Sequence, residues 1–308
     1  MPDAKTYHFH EVERCVMCGA DGRRARVLGL RLNTSQGRSP RQKTGIAVSI
    51  CKCSQCGLHF PQPLPVPSSM SDHYGVPPES YWKDAYFNTD PNYFSRQIAD
   101  AKRLLDFRDG MRALDIGVGI GKAVKSLRAA GFDVWGMEPS KPFYDKALEW
   151  TGMGADRLAL AGVEEAEYPE NFFDFITFGA VLEHLYDPGE AIRRAMHWLK
   201  PGGVIQAEVP SSKHLMASLL NVYYRLLGTS YVTNLSPMHS PYHLYEFTVE
   251  SFVLHGKSAG YELAHHYIDV ASIRHVPSAV KPALHWLMDR GGSGMQLTVW
   301  LRKKAPAA

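Results

Sequence analysis

The chain has 308 residues, 45% of them apolar and 21% charged, with 34 Lys and Arg against 31 Asp and Glu. These values sit near the averages for folded domains and exclude a disordered, collagen-like or disulfide-scaffold chain. The net charge of +3 is too small to imply a polyanionic partner.

The basic excess lies in residues 1–75, which hold ten Lys or Arg against five Asp or Glu. The opening MPDAKTYHFH lacks the apolar core of a signal peptide, and no apolar run is long enough to cross a bilayer. A cytoplasmic protein with no membrane partner is expected. All five cysteines fall between Cys15 and Cys56. Cys15 and Cys18 stand in CVMCG, and Cys53 and Cys56 in CSQCG, two C-x-x-C-G turns that each bring two sulfurs together. The glycine admits the left-handed backbone that aims N–H groups at the sulfurs, and two such turns make a closed tetrahedral site of four thiolates. The expectation is structural zinc rather than disulfides, with free or redox-active thiols as the other reading. Cys51 shares a strand face with Cys53 and reads as a packed thiol or an alternative ligand.

Pro61, Pro63, Pro65 and Pro67 then forbid a helix or a central strand, and the module is expected to end just beyond them. Two units follow from this: a zinc-ribbon-like module over 1–75 with a Pro-rich exit, and an α/β domain over 76–308. The second opens on a helical segment at 76–108, where Asp90 reads as an N-cap with Pro91 at the first helical position. From Met111 short apolar strands alternate with amphipathic helices, the pattern of a mostly parallel sheet covered on both faces. MRALDIGVGIG is a strand entering a glycine turn, with Gly117, Gly119 and Gly121 spaced G-x-G-x-G. DVWGME is the next strand, and Glu138 at its end can accept both hydroxyls of an adenosine ribose. Turn, acid and spacing together point to a nucleoside ligand.

Through LDIGVGIG, GMEPS, FDFITFGAVLEHLYDP and LKPGG, the chain resembles the class I S-adenosylmethionine-dependent methyltransferases over about residues 90 to 210. CVMCG and CKCSQCGLHFPQPLP are similar to the cysteine-rich leader of some small-molecule methyltransferases of that class. The resemblance implies a Rossmann-like seven-stranded sheet and S-adenosylmethionine as cofactor. It implies that Asp115 and the three glycines surround the methionine end, and that Glu138 holds the ribose between Met137 and Pro139. Val163 and Glu164 would meet the adenine, and Ala180 and Val181 would lie beside the cofactor on the route to substrate.

Methyl transfer is an in-line displacement in which alignment dominates, and a base is needed only if the nucleophile arrives protonated. His184, just after the fourth strand, is the candidate base; its other reading is a capping or packing histidine. His243 and His239, in SPMHSPYHLYEF, are rivals on the insertion at 211–246. That insertion includes LMASLLNVYYRLL, apolar on most of its surface, which should be buried. It reads first as a lid over the substrate, second as a homodimer contact, third as core packing. The expected activity is methyl transfer to O or C of a small-molecule acceptor. The alternatives are an RNA methyltransferase recruited through the zinc module, and a non-catalytic cofactor-binding scaffold protein.

Overall fold

The computed structural model describes residues 6–35, 44–68, 90, 92–270, 273 and 276–305. At the N-terminus, β2 (Arg26–Leu32), β3 (Ala47–Lys52) and β4 (His59–Gln62) form a three-stranded antiparallel sheet. Beside it β1 (Tyr7–His10) and β5 (Leu64–Pro67) pair as a ribbon. The prolines at 61, 65 and 67 occupy β4 and β5, which each have one partner strand, so a missing N–H breaks no central ladder. The expected boundary near residue 75 lies outside the described residues.

The first helix corrects the expected start. α1 runs over Ser95–Leu105 behind a left-handed Phe94, not from position 91. Asp90 instead closes the turn before it, accepting the Asn92 N–H on its side chain at 2.8 Å and the Tyr93 N–H on its carbonyl at 2.9 Å. Pro91 lies outside the described residues.

The α/β domain continues as β6 (Arg112–Ile116), α2 (Lys122–Ala129), β7 (Asp133–Met137), α3 (Lys141–Thr151), β8 (Leu158–Ala159) and β9 (Phe173–Gly179). After these come α4 (Pro188–Trp198), β10 (Leu199–Pro210), α5 (Leu215–Leu226), α6 (Val249–Ala259), β11 (Tyr261–Asp269), α7 (Lys281–Arg290) and β12 (Gln296–Lys303). One sheet of seven strands results, in the order β11-β12-β10-β9-β6-β7-β8. β12 runs against the other six strands, antiparallel to both β11 and β10, and the remaining pairs are parallel. Ala113, Leu114, Ile116, Phe175, Ile176 and Phe178 are almost wholly buried, as expected of parallel strands covered on both faces. The chain winds outward from β6 to β8 and then returns to β9 on the other flank. The crossovers therefore part company beyond the carboxyl ends of β6 and β9, opening a crevice there.

The N-terminal sheet is packed on this domain. Cys15, Met17, Cys53, Cys56, Leu58 and Phe60 belong to the same buried cluster as Tyr245, Phe247 and Phe252. His59 and Glu246 pair by backbone bonds in both directions, and the Thr248 hydroxyl, which also caps α6, donates to the Cys56 carbonyl.

The insertion differs from its expected burial. α5 buries only Tyr224, against Leu32 and Tyr231, while Leu219, Leu220, Val222, Tyr223 and Leu226 are exposed, Leu226 to 81%. Its hold on the protein is partly polar: Asn221 accepts the Thr233 N–H at 2.8 Å and donates to Asn234 at 2.6 Å.

Candidate active site and metal centre

The glycine turn after β6 needs its glycines for two separate reasons. Gly117, Gly119 and Gly121 all have positive φ, a region that costs most side chains. A Cβ on Gly117 would also sit 2.6 Å from the Val181 Cγ2, and one on Gly121 would strike Thr151. The turn is thereby pressed against the strand ends around it. Glu138, at the end of β7, ties it down, with one carboxylate oxygen accepting the Gly119 N–H at 2.9 Å and the other the Ser140 N–H at 2.9 Å. Each oxygen keeps a lone pair for a further donor.

A cavity of about 320 Å³ opens over this turn. It brings together Gly117, Gly119, Met137, Glu138, Pro139, Val163, Glu164, Ala180, Val181 and His184. Asp115 and Gly119 line a smaller adjoining cavity of about 140 Å³, with Thr177 and Lys122. Gly121 lines neither, and its position is that of the packed N-cap of α2. Burial pushes the Asp115 carboxyl up to about 7, with the Glu138 charge adding to the shift. Burial likewise pushes Glu138 up to about 7, against the lowering effect of the Ser140 and Gly119 N–H groups. Two carboxyls held this far from water suit a ligand that brings hydroxyl and ammonium donors.

A third cavity, of about 580 Å³, adjoins the first through Ala180, His184 and Pro241. Ala180 is held at φ +57°, a strained conformation at the junction. Glu183, His184 and His243 offer ligand-type atoms within 4.8 Å of one another. The backbone fixes all three: the Leu244 N–H donates to the Glu183 carbonyl at 2.8 Å, and the Ser236 N–H to the His243 carbonyl at 3.1 Å. His184 Nδ1 donates to the Tyr242 carbonyl at 3.3 Å, so Nε2 is left as the acceptor nitrogen. Burial lowers the His184 pKa and, with His184 beside it, takes His243 down to about 4. Both rings are therefore neutral near pH 7, the form in which an imidazole takes a proton. Glu183 is pushed up to about 8 by burial, and one of its oxygens has no hydrogen-bond partner. His239 also lines this cavity.

The four expected metal ligands converge. Cys15 and Cys56 sulfurs lie 3.6 Å apart, Cys18 and Cys53 sulfurs 3.5 Å apart, and all four lie within 4.8 Å. The two turns are built alike: Gly19 N–H donates to the Cys15 carbonyl and Cys15 N–H to Ala20, while Gly57 N–H donates to Cys53 and Cys53 N–H to Leu58. Four soft donors in paired knuckles fit zinc, and with every position filled by protein such an ion would have a structural role. Cys51 is buried outside the group. His265 and His266 fall on β11, outside both clusters.

Several lining residues carried no sequence signal. Arg31 comes from β2, Glu246 and His214 from the insertion, and Glu208 from the end of β10. None stands in a motif; Arg31 joins the others because the N-terminal sheet packs on the insertion.

A family model described as "Methyltransferase domain" matches residues 91–290. Phosphoethanolamine N-methyltransferase 3 of Arabidopsis thaliana is 35% identical over 106 residues, 33% of this chain and 21% of that protein. A ubiquinone biosynthesis O-methyltransferase of Marinobacter nauticus is 31% identical over 139 residues, 42% of this chain and 54% of that protein. The aligned region thus spans about half or less of these relatives' length. Among solved structures, an S-adenosylmethionine-dependent methyltransferase from Mesorhizobium loti aligns with a TM-score of 0.48 at 15% identity, covering 68% of this chain and 97% of that one. The family match takes in the glycine turn, both buried carboxyls and every strand of the large sheet except β12, and the chain belongs to the methyltransferase-domain family.

Proposed function

We propose that this chain transfers a methyl group from S-adenosylmethionine to O or C of a small-molecule acceptor. One observation carries the reading: a cavity walled by the glycine turn and Glu138 runs directly into a larger one at Ala180, His184 and Pro241. That is the layout of a cofactor site with an acceptor site in line behind it. Asp115 and the turn would hold the methionine end, Glu138 the ribose, Met137 and Pro139 the adenosine flanks, and Val163 and Glu164 the adenine. The cofactor supplies an electrophilic methyl on a sulfonium; the protein's task is to align the acceptor and exclude water. His184, whose Nε2 is the acceptor nitrogen at the junction, takes a proton from an acceptor that arrives protonated, and His243 shapes the same wall. The small-molecule names of the two relatives support the acceptor class. We assign residues 1–75 to a zinc-ribbon-like module and 76–308 to the methyltransferase domain, with 76–108 leading into it and 211–246 covering the acceptor cavity.

Calorimetric titration with S-adenosylhomocysteine tests this reading. Binding should be clear in the intact protein and weaker by roughly 1 to 3 kcal/mol in Glu138→Ala, which removes a charged acceptor from two hydroxyls. Equal affinity in both proteins, or preference for a nicotinamide dinucleotide, would overturn it.

A further inference from the structure

Arg31 is a buried cation that cofactor binding and proton transfer leave without a task. It stands on β2 of the N-terminal sheet, 8% exposed, yet lines the larger cavity. Its Nε donates to the Leu235 carbonyl at 2.9 Å and its Nη1 to the Val232 carbonyl at 3.3 Å. Its Nη2 lies 3.2 Å from His239 Nε2, which must accept because a guanidinium cannot. All three partners are neutral, and two of the five N–H donors have no partner among the described residues. The charge of Glu246 reaches Arg31, but that carboxylate is already matched by His59 at 2.9 Å, Asn234 at 2.7 Å and the Leu235 N–H at 3.2 Å. A guanidinium taken out of water without an ion pair is costly, and an incoming anion would relieve that cost.

The surroundings agree. His239 accepts on Nε2, and burial together with Arg31 takes its pKa down to about 4, so it stays neutral and leaves the guanidinium charge unmatched. Ser236 and Ser240 add hydroxyls to the same cavity. Of the other titratable groups on its walls, His184, His214 and His243 are lowered by burial. Glu183 and Glu208 are raised by burial. The cavity runs from Arg31 and His239 at one side to Ala180 and His184, where it meets the cofactor cavity. On the acceptor-site reading given above, we propose that the acceptor carries an anionic group, a carboxylate or a phosphate monoester, and that Arg31 of the N-terminal module selects it. The module then serves as the specificity wall of the acceptor site as well as a zinc-bound structural unit.

The test uses the full, zinc-loaded chain saturated with S-adenosylhomocysteine, titrated calorimetrically with inorganic phosphate, benzoate and the uncharged control benzyl alcohol. At least one anion should bind about tenfold or more tighter than the alcohol, and which one distinguishes phosphate from carboxylate. Arg31→Met should remove that preference while S-adenosylhomocysteine affinity changes by less than about twofold. Should Arg31→Met lose the nucleoside as well, the module has come apart and Arg31→Lys decides. In that variant weakened anion binding with intact nucleoside binding supports the proposal, and undiminished anion binding overturns it. It is also overturned if neither anion binds more tightly than benzyl alcohol, or if Arg31→Met keeps the preference. Failure of the intact protein to bind S-adenosylhomocysteine would instead sink the methyltransferase reading itself.

Discussion

Asp115 and Glu138 give the proposed cofactor site a pH dependence of definite sign. Both carboxyls have their pKa raised to about 7, largely by burial, so each is only partly ionised near neutrality in the free protein. A ligand offering hydroxyls and an ammonium binds the ionised forms, and binding must first release a proton from any carboxyl that holds one. S-adenosylhomocysteine affinity should therefore rise as pH increases from about 6 to 8, with proton release visible as a buffer-dependent heat. An affinity flat over that window would contradict it. At the junction His184 separates two mechanisms. As a base it should cost about 100-fold in kcat when changed to Ala, with nucleoside affinity nearly unchanged; as a packing residue it should cost little, or only in step with thermal stability. His243→Ala is the companion variant, and damage confined to KM would mark it as an acceptor contact.

Among the elements, α5 departs most from its sequence pattern. LMASLLNVYYRL reads as a buried helix because apolar side chains surround it, yet the structure fastens it through Tyr224 and the Asn221 bonds. Tyr224→Ala should cost about 3 kcal/mol or more, whereas Leu226→Ser should stay within about 0.5 kcal/mol, as read by denaturant unfolding. Comparable losses would show that the exposed row is covered in solution. The same contrast explains what was legible in the sequence. β6, β7, β9 and α4 were readable because local rules govern them: apolar runs for strands buried on both faces, and an apolar helical face on Ile192, Ala195 and Met196. The glycine turn and the C-x-x-C-G knuckles were readable because their chemistry fixes spacing within a few residues. Asp90 misled because an Asp-Pro pair caps a turn as readily as a helix. Arg31 was invisible because its partner Leu235 lies 204 residues away, and Glu246 because its partner His59 lies 187 residues away, distances no local pattern records.

At the scale of the whole molecule, the cysteine cluster and the proposed acceptor cavity share a seam. Cys56 accepts from Thr248, and His59, three residues further on, pairs with Glu246. The purified protein should contain about one zinc per chain, and Cys18→Ser should lose it. Because the cluster shares its core with Tyr245 and Phe247, the damage should reach the acceptor wall. Hydrogen exchange should quicken in 6–68 and 228–247 while β6, β7 and β9 stay protected. Zinc retained by a Cys15, Cys18 double variant would count against the ligand set. The seam also has a consequence in time. Tyr7 bonds to the Met238 carbonyl 231 residues later, and Cys56 to Thr248 192 residues later. On a ribosome the first strands made must wait for nearly the last, exposing their apolar faces for as long as translation takes. At about 5 to 20 residues per second, that interval is on the order of 10 to 40 seconds. A metal clamp closed by residue 56 would hold the knuckles together and mask four thiols from oxidation until the second half of their binding surface is synthesised.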